Sequence, residues 1–107
     1  MITILYIGYK SVGCWKDGIP RALVLLEGTS SQLNGHYKSR ADPVTKCSLA
    51  ALEKGLRVFA LQDGGQCFGS LSPDRHKKYG TSTDCVSMKG GPMASNVYEF
   101  GKFFLFF

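Results

Sequence analysis

The sequence predicts an α+β domain: a small, twisted antiparallel sheet with one main helix packed across it, closed by two disulfides. Three features carry this expectation. Only one stretch, ADPVTKCSLAALEKG, combines helix punctuation with a helical apolar stripe. The other apolar segments are short, rich in β-branched and aromatic residues, and separated by glycine-containing turns. Four cysteines, Cys14, Cys47, Cys67 and Cys85, are spread at gaps of 33, 20 and 18 residues. With 107 residues the chain is one domain by length, and small enough for covalent staples to matter to its stability.

The elements follow in order. Thr3 to Ile7 reads as a strand, and KSVGCWKD continues it with a break at Gly13 before a turn at Asp17-Gly18. Ala22 to Leu26 is apolar and short, which favours strand over helix. A polar loop, GTSSQLNGHYKSR, comes next, with a turn at Asn34-Gly35. The helix then starts from Asp42, whose carboxylate is placed to cap the first turn, with Pro43 at the first helical position and Gly55 as the stop. At 100° per residue, Val44, Cys47, Ser48, Ala51 and Leu52 share one side, with Lys46 and Glu53 opposite. Leu56 to Leu61 is nearly continuously apolar, as a central strand covered on both faces would be. Asp63-Gly64-Gly65 supplies a tight turn, so Gln66 to Ser70 returns antiparallel. SPDRHKKYGTSTDC is read as a polar loop, and GGPMASNVYEF as a turn into a last strand at Asn96 to Phe100. The first and last strands are expected to pair near each other.

Composition narrows the function. The cysteine spacings contain no CxxC pair and none of the short spacings of zinc ribbons, so no metal site is expected and two disulfides are. That places the domain in an oxidising, extracellular compartment. MITILYIGY lacks the basic region and cleavage site of a signal peptide, so a module within a longer secreted or membrane-anchored protein is expected. GKFFLFF is too short to cross a bilayer, and no membrane insertion by this segment is expected. The net charge of +5 favours acidic partners. Its one dense cluster, Arg75, His76, Lys77 and Lys78, is too small a footprint for nucleic acid.

The parts for catalysis are missing. His36 and His76 both fall in polar loops and read as solvated, and disulfide formation leaves no nucleophilic thiol. DGGQCFG lacks the Lys-Ser/Thr of a phosphate-binding loop. No cofactor is expected. The domain reads as a non-catalytic binding module.

VGCWKD…RAL, then Y…TKCSLAALEKGLRVFALQDGGQCFGS, then DC, then GGPMASNVYEF together resemble the WSC domain and its divergent relatives, which are themselves similar to the apple/PAN cysteine-rich modules. The resemblance covers Ser11 to Phe100, leaving 1–10 as a leading strand or linker and 101–107 as a tail outside the domain. It rests chiefly on Gly13-Cys14, Cys47, Gln66-Cys67, Gly90-Gly91 and Val97-Tyr98. This chain carries four of the family's eight cysteines, with Ala51 where a second helix cysteine would stand. The resemblance implies an extracellular module that binds carbohydrate or protein.

Four cysteines allow three pairings. Cys47–Cys67, tying helix to hairpin, with Cys14–Cys85, tying the first strand to the late loop, is the favoured set; Cys14–Cys47 with Cys67–Cys85 is the alternative. For a sugar, aromatic faces beside planar polar groups are needed. Trp15, Asp17, Tyr37, Arg40, Gln62, Asp63, Gln66, Tyr79 and Asn96 are the candidate ligand-binding residues. Each also has a purely structural reading. Trp15 would pack on the Cys14 disulfide, Tyr37 and Tyr79 would cover sheet edges, and Gln62 and Gln66 would cap the hairpin. The two function classes that follow are glycan binding and adhesion to an extracellular protein without sugar specificity.

Overall fold

The computed structural model describes residues 2–106, with side chains from 8 to 101. At its centre lies β3 (Val58–Gln62), all five residues of which are buried. It pairs with β4 (Gln66–Ser70) on one side and β5 (Ala94–Phe106) on the other, both antiparallel. β5 pairs in turn with β1 (Ile2–Lys16), and β4 with the two-residue β2 (Val24–Leu25). The five-stranded order is β1-β5-β3-β4-β2. Because β3 is covered on both faces, it needs apolar residues at every position rather than at alternate ones, which is the pattern VFAL provides.

β1 is one strand, not two. The expected break at Gly13 is a register shift between Ser11 and Gly13, and a second lies between Tyr6 and Tyr9. The positive φ of 107° at Gly13 allows the bulge without ending the pairing. The backbone of Ile2 to Tyr6 pairs with Lys102 to Phe106, so β5 runs past Phe100. The side chains of 1–7 and 102–107 lie outside the described residues, as does the backbone of Met1 and Phe107.

The helix, α1 (Pro43–Glu53), packs on one face of the sheet. Two details of its expected ends divide. Gly55 stops it as foreseen: the Leu56 N–H donates to the Ala51 carbonyl and the Gly55 N–H to the Leu52 carbonyl, both at 3.0 Å, which is a Schellman closure. Asp42, however, makes no side-chain cap bond. Its φ of 48° and ψ of 54° are left-handed, whereas a capping carboxylate works from extended backbone. The buried side also differs, comprising Cys47, Ser48, Ala50 and Ala51, while Leu52 is 39% exposed. Only small side chains fit where the helix lies this close to the sheet.

Two cores result. On the helix face Phe59, Leu61, Tyr98 and Phe100 meet Cys47, Ala50 and Ala51, with Leu26, Leu33 and Cys67. On the opposite face Val58, Ala60, Phe68 and Val97 are covered by Ala22, Leu23, Trp15 and Tyr79. Both disulfides of the favoured pairing are formed, Cys47–Cys67 and Cys14–Cys85. Two such bonds fit an oxidising compartment. Among the described residues no helix is long and apolar enough to cross a membrane.

Candidate functional site

The Asp63-Gly64-Gly65 turn is a packing device. All three residues have positive φ. A Cβ on Gly65 would sit 2.7 Å from the Tyr37 carbonyl oxygen, so only glycine lets the neighbouring loop lie this close. The N–H groups that a phosphate would need are already committed. Asp63 donates to Gly91 O and Gly64 to Lys89 O at 3.0 Å, and Gly65 to Gln62 O at 3.1 Å.

Most of the predicted sugar-contact residues turn out to hold the fold. Arg40, expected at a binding surface, has a side chain only 1% exposed. Its guanidinium donates to both Glu27 carboxylate oxygens at 2.9 and 2.7 Å and to the Leu33 carbonyl at 3.0 Å. Glu27 also accepts from the Cys67 N–H at 2.9 Å, so one ion pair ties the loop to the hairpin. Burial pushes the Glu27 carboxyl up, but the hydrogen bonds from Arg40 and Cys67 with the Arg40 charge outweigh it, and its pKa lies below the ordinary value. Asn96 is buried too, its Oδ1 accepting from the Gly90 N–H at 2.8 Å. It pins the late loop to β5.

Gln62 is fully enclosed rather than at the rim. With its amide oriented to match its neighbours, it donates to Asp17 Oδ2 at 3.0 Å and accepts from Arg21 Nη1 at 2.8 Å. Asp17, 5% exposed at its side chain, takes Arg21 at 2.8 Å and the Gly18 and Ala22 N–H groups at 2.8 and 3.0 Å. Burial raises its pKa, and the hydrogen bonds from Ala22, Arg21 and Gly18 more than reverse this, leaving it lowered. These contacts fold 17–22 over the sheet. Tyr37 Oη donates to Asp63 Oδ2 at 2.6 Å, a bond that raises the tyrosine pKa, and Lys38 Nζ lies 3.8 Å from the same carboxylate. His36 stacks on Tyr37. Gln66 is half-buried opposite Gln62 as the hairpin's closing pair.

The remaining candidates, Trp15, Tyr79 and the basic cluster, converge on one element. The expected polar loop contains a 3₁₀ turn, Arg75–Tyr79, packed against the face away from α1. Here the sequence reading needs a correction. His76 is 3% exposed and is neither solvated nor part of a surface patch. One turn of 3₁₀ helix points Arg75, Lys77 and Lys78 outward and the residue between them inward. The imidazole meets Trp15 edge to face, with ring centroids 5.0 Å apart. Burial, then the Lys77 charge, lowers its pKa. Trp15 is half-buried, packed against the cluster of Ala22, Leu23, Phe68 and Val97. It donates from Nε1 to the Val12 carbonyl at 2.9 Å. Tyr79 donates to the Pro20 carbonyl, locking 17–22 under the same turn.

Two clefts flank this turn. One, about 360 Å³, is walled by Val12, Trp15, Pro73 and His76 with Asp74, Lys77 and Glu99 as its charged groups. The other, about 510 Å³, is lined by Pro20, Arg21, Ala22, Asp74, Arg75, Lys77 and Lys78. Asp74 and Lys77 belong to both, so the clefts adjoin. In the second, Arg21 is paired with Asp17 and Lys77 with Asp74, whereas Arg75 and Lys78 have no carboxylate partner among the described residues. Arg21, Asp74 and Glu99 were not anticipated. Nothing in the sequence places Arg21 and Glu99 beside the cluster, since each arrives from a distant strand or loop. Among the described residues no group of three His, Cys, Asp or Glu side chains could hold a metal ion.

Compared with protein-family models and with curated protein sequences, the chain matches none.

Proposed function

We propose that this domain is an extracellular, non-catalytic carbohydrate-binding module that takes an acidic glycan across the Arg75–Tyr79 turn. One observation carries the reading: an aromatic, carboxylate-bearing cleft and a cationic cleft share the two sides of a single five-residue turn. The Trp15 wall offers an apolar surface to a sugar ring, while Asp74 and Glu99 accept from its hydroxyls. Arg75 and Lys78, without carboxylate partners among the described residues, attract a sulfate or carboxylate on the adjoining residue. The resemblance to WSC and apple/PAN modules belongs to this reading, as does an extracellular location, which the two disulfides favour.

The chain has a single tryptophan, so its emission reports on the first cleft. Titration with a sulfated oligosaccharide is expected to change Trp15 fluorescence. Replacing Arg75 and Lys78 together by alanine is expected to weaken binding about 10-fold at low salt, the scale of two exposed charge contacts. High salt is expected to erase that difference. Folded protein that shows neither an emission change nor binding on sulfated or neutral glycans would refute the proposal and favour the competing class, adhesion to an extracellular protein.

A further inference from the structure

We infer that the free edge of the sheet at β2 is a docking strip for an extended, acidic peptide segment of a partner protein. β2 ends the sheet, pairing only with β4 through Val24↔Gly69 and Leu25↔Phe68. The Leu26 N–H donates to the Cys67 carbonyl at 2.9 Å. By strand alternation, the N–H and carbonyl of Leu25 therefore point outward, away from β4. Beside this edge runs an apolar groove of about 430 Å³ whose walls include Val24, Leu25, Leu56 and Leu71. Its floor is Gly69, where an added Cβ would sit 2.6 Å from Leu56 Cδ1. Val24 is 60%, Leu25 45% and Leu71 68% exposed, three apolar side chains gathered on one strip.

Edges of this kind are normally blunted by charge, proline or a covering segment. Here the charge is present but of one sign. The ionisable groups lining the groove are Lys54 and Arg75, with no carboxylate among them. That selects the occupant. A second copy, itself carrying +5, would bring the same two cations to the contact, so edge-to-edge pairing of this chain is opposed. An extended segment that carries both apolar and acidic residues on its groove-facing side, at every second position, satisfies all three features. Its backbone pairs with Leu25, its apolar side chains fill the groove, and its carboxylates, on the same side, meet Lys54 and Arg75 at the groove wall. This inference stands apart from the glycan reading, although Arg75 borders both sites.

The probe is an end-blocked peptide in which valine and glutamate alternate along one face of the extended chain with threonine on the other, compared with its valine–lysine counterpart by fluorescence anisotropy. The acidic peptide is expected to bind at least about 10-fold more tightly than the basic one. Lys54→Glu is expected to weaken it by about the same factor, and Leu71→Asp to abolish detectable binding. Both positions are exposed, so folding is checked by an unchanged melting temperature. Equal binding of the two peptides, or no binding of either to folded protein, would overturn the inference. So would concentration-dependent dimerisation abolished by Leu71→Asp, which would make a second copy the occupant.

Discussion

The two faces of the sheet are covered in different ways. On one, α1 lays small residues over Phe59 and Leu61, the Cys47–Cys67 bond joins helix to hairpin, and the Arg40–Glu27 pair locks the preceding loop. On the other, among the described residues, there is no long helix. Segments 17–23 and 73–80 cover Val58, Ala60 and Val97 through a few rings and hydrogen bonds: Trp15 on His76, Tyr79 on Pro20, Asp17 on Ala22. The first face is bound covalently and ionically within 41 residues of chain, from Glu27 to Cys67. The second is assembled from pieces at least 50 positions apart and carries both clefts. The covalent and ionic ties and the two clefts therefore fall on opposite sides.

The largest test of this division is Arg40→Ala. Removing the guanidinium leaves Glu27, 18% exposed at its side chain, without its counter-charge. Loss of one partner from such an enclosed pair costs about 3–5 kcal/mol, a large part of the roughly 5–15 kcal/mol that holds a small domain together. Chemical denaturation would measure it. A change under 1 kcal/mol would mean that the helix side does not depend on this clamp.

Acid probes the other face. Burial, and secondarily the Lys77 charge, holds the His76 pKa below its ordinary value, against the opposing pull of Asp74 and Glu99. From about one pH unit above the ordinary value of 6.5, the ring is neutral in both folded and unfolded chains and contributes no slope. Below that, the unfolded chain takes up the proton more readily. Stability therefore falls as pH drops from about 6.5 through the lower folded pKa, then levels off. Asp17 and Glu27, whose pKa values are lowered by their hydrogen bonds, begin to lose their contributions as pH falls through the ordinary values of 3.8 and 4.5, and lose them fully below the lowered folded values. Melting temperatures across pH should thus fall in two stages, and His76→Phe should remove the upper one alone. A wild-type profile flat between pH 7 and 5 would contradict the burial of His76.

The smallest effect belongs to Tyr79→Phe, which deletes the bond to the Pro20 carbonyl while keeping the ring. The expected cost is about 1 kcal/mol. Glycan affinity should fall alongside it if 17–22 and the 3₁₀ turn form one surface. Stability lost with affinity unchanged would separate the two segments.

Much of the first face was legible in the chain. The apolar run before Asp63-Gly64-Gly65 gave a buried central strand, Pro43 and Gly55 bounded the helix, and the inward side of that helix put Cys47 where Cys67 returns. These are local signals, set by backbone preference and by the periods of strand and helix. The misreadings share a different cause. Asp42 failed as a cap because the incoming loop holds it left-handed. Leu52 was placed inward because helical angle says nothing of how closely the sheet approaches. Arg40, Gln62 and Asn96 look like surface ligands until distant carboxylates and amides bury them. His76, inside RHKK, looks solvated until Trp15 arrives from β1.

By itself, then, the sequence determined the α+β class, the hairpin and the helix limits, because each rests on nearby residues or on spacing. It favoured the disulfide pairing that forms, and the tertiary structure decided it against the alternative. Tertiary structure alone decided which polar side chains are buried and which still face solvent. It also decided that β2 lies at an open edge beside an apolar groove. Those outcomes depend on strand order and on contacts between remote segments, and such contacts leave no periodic trace in a single chain.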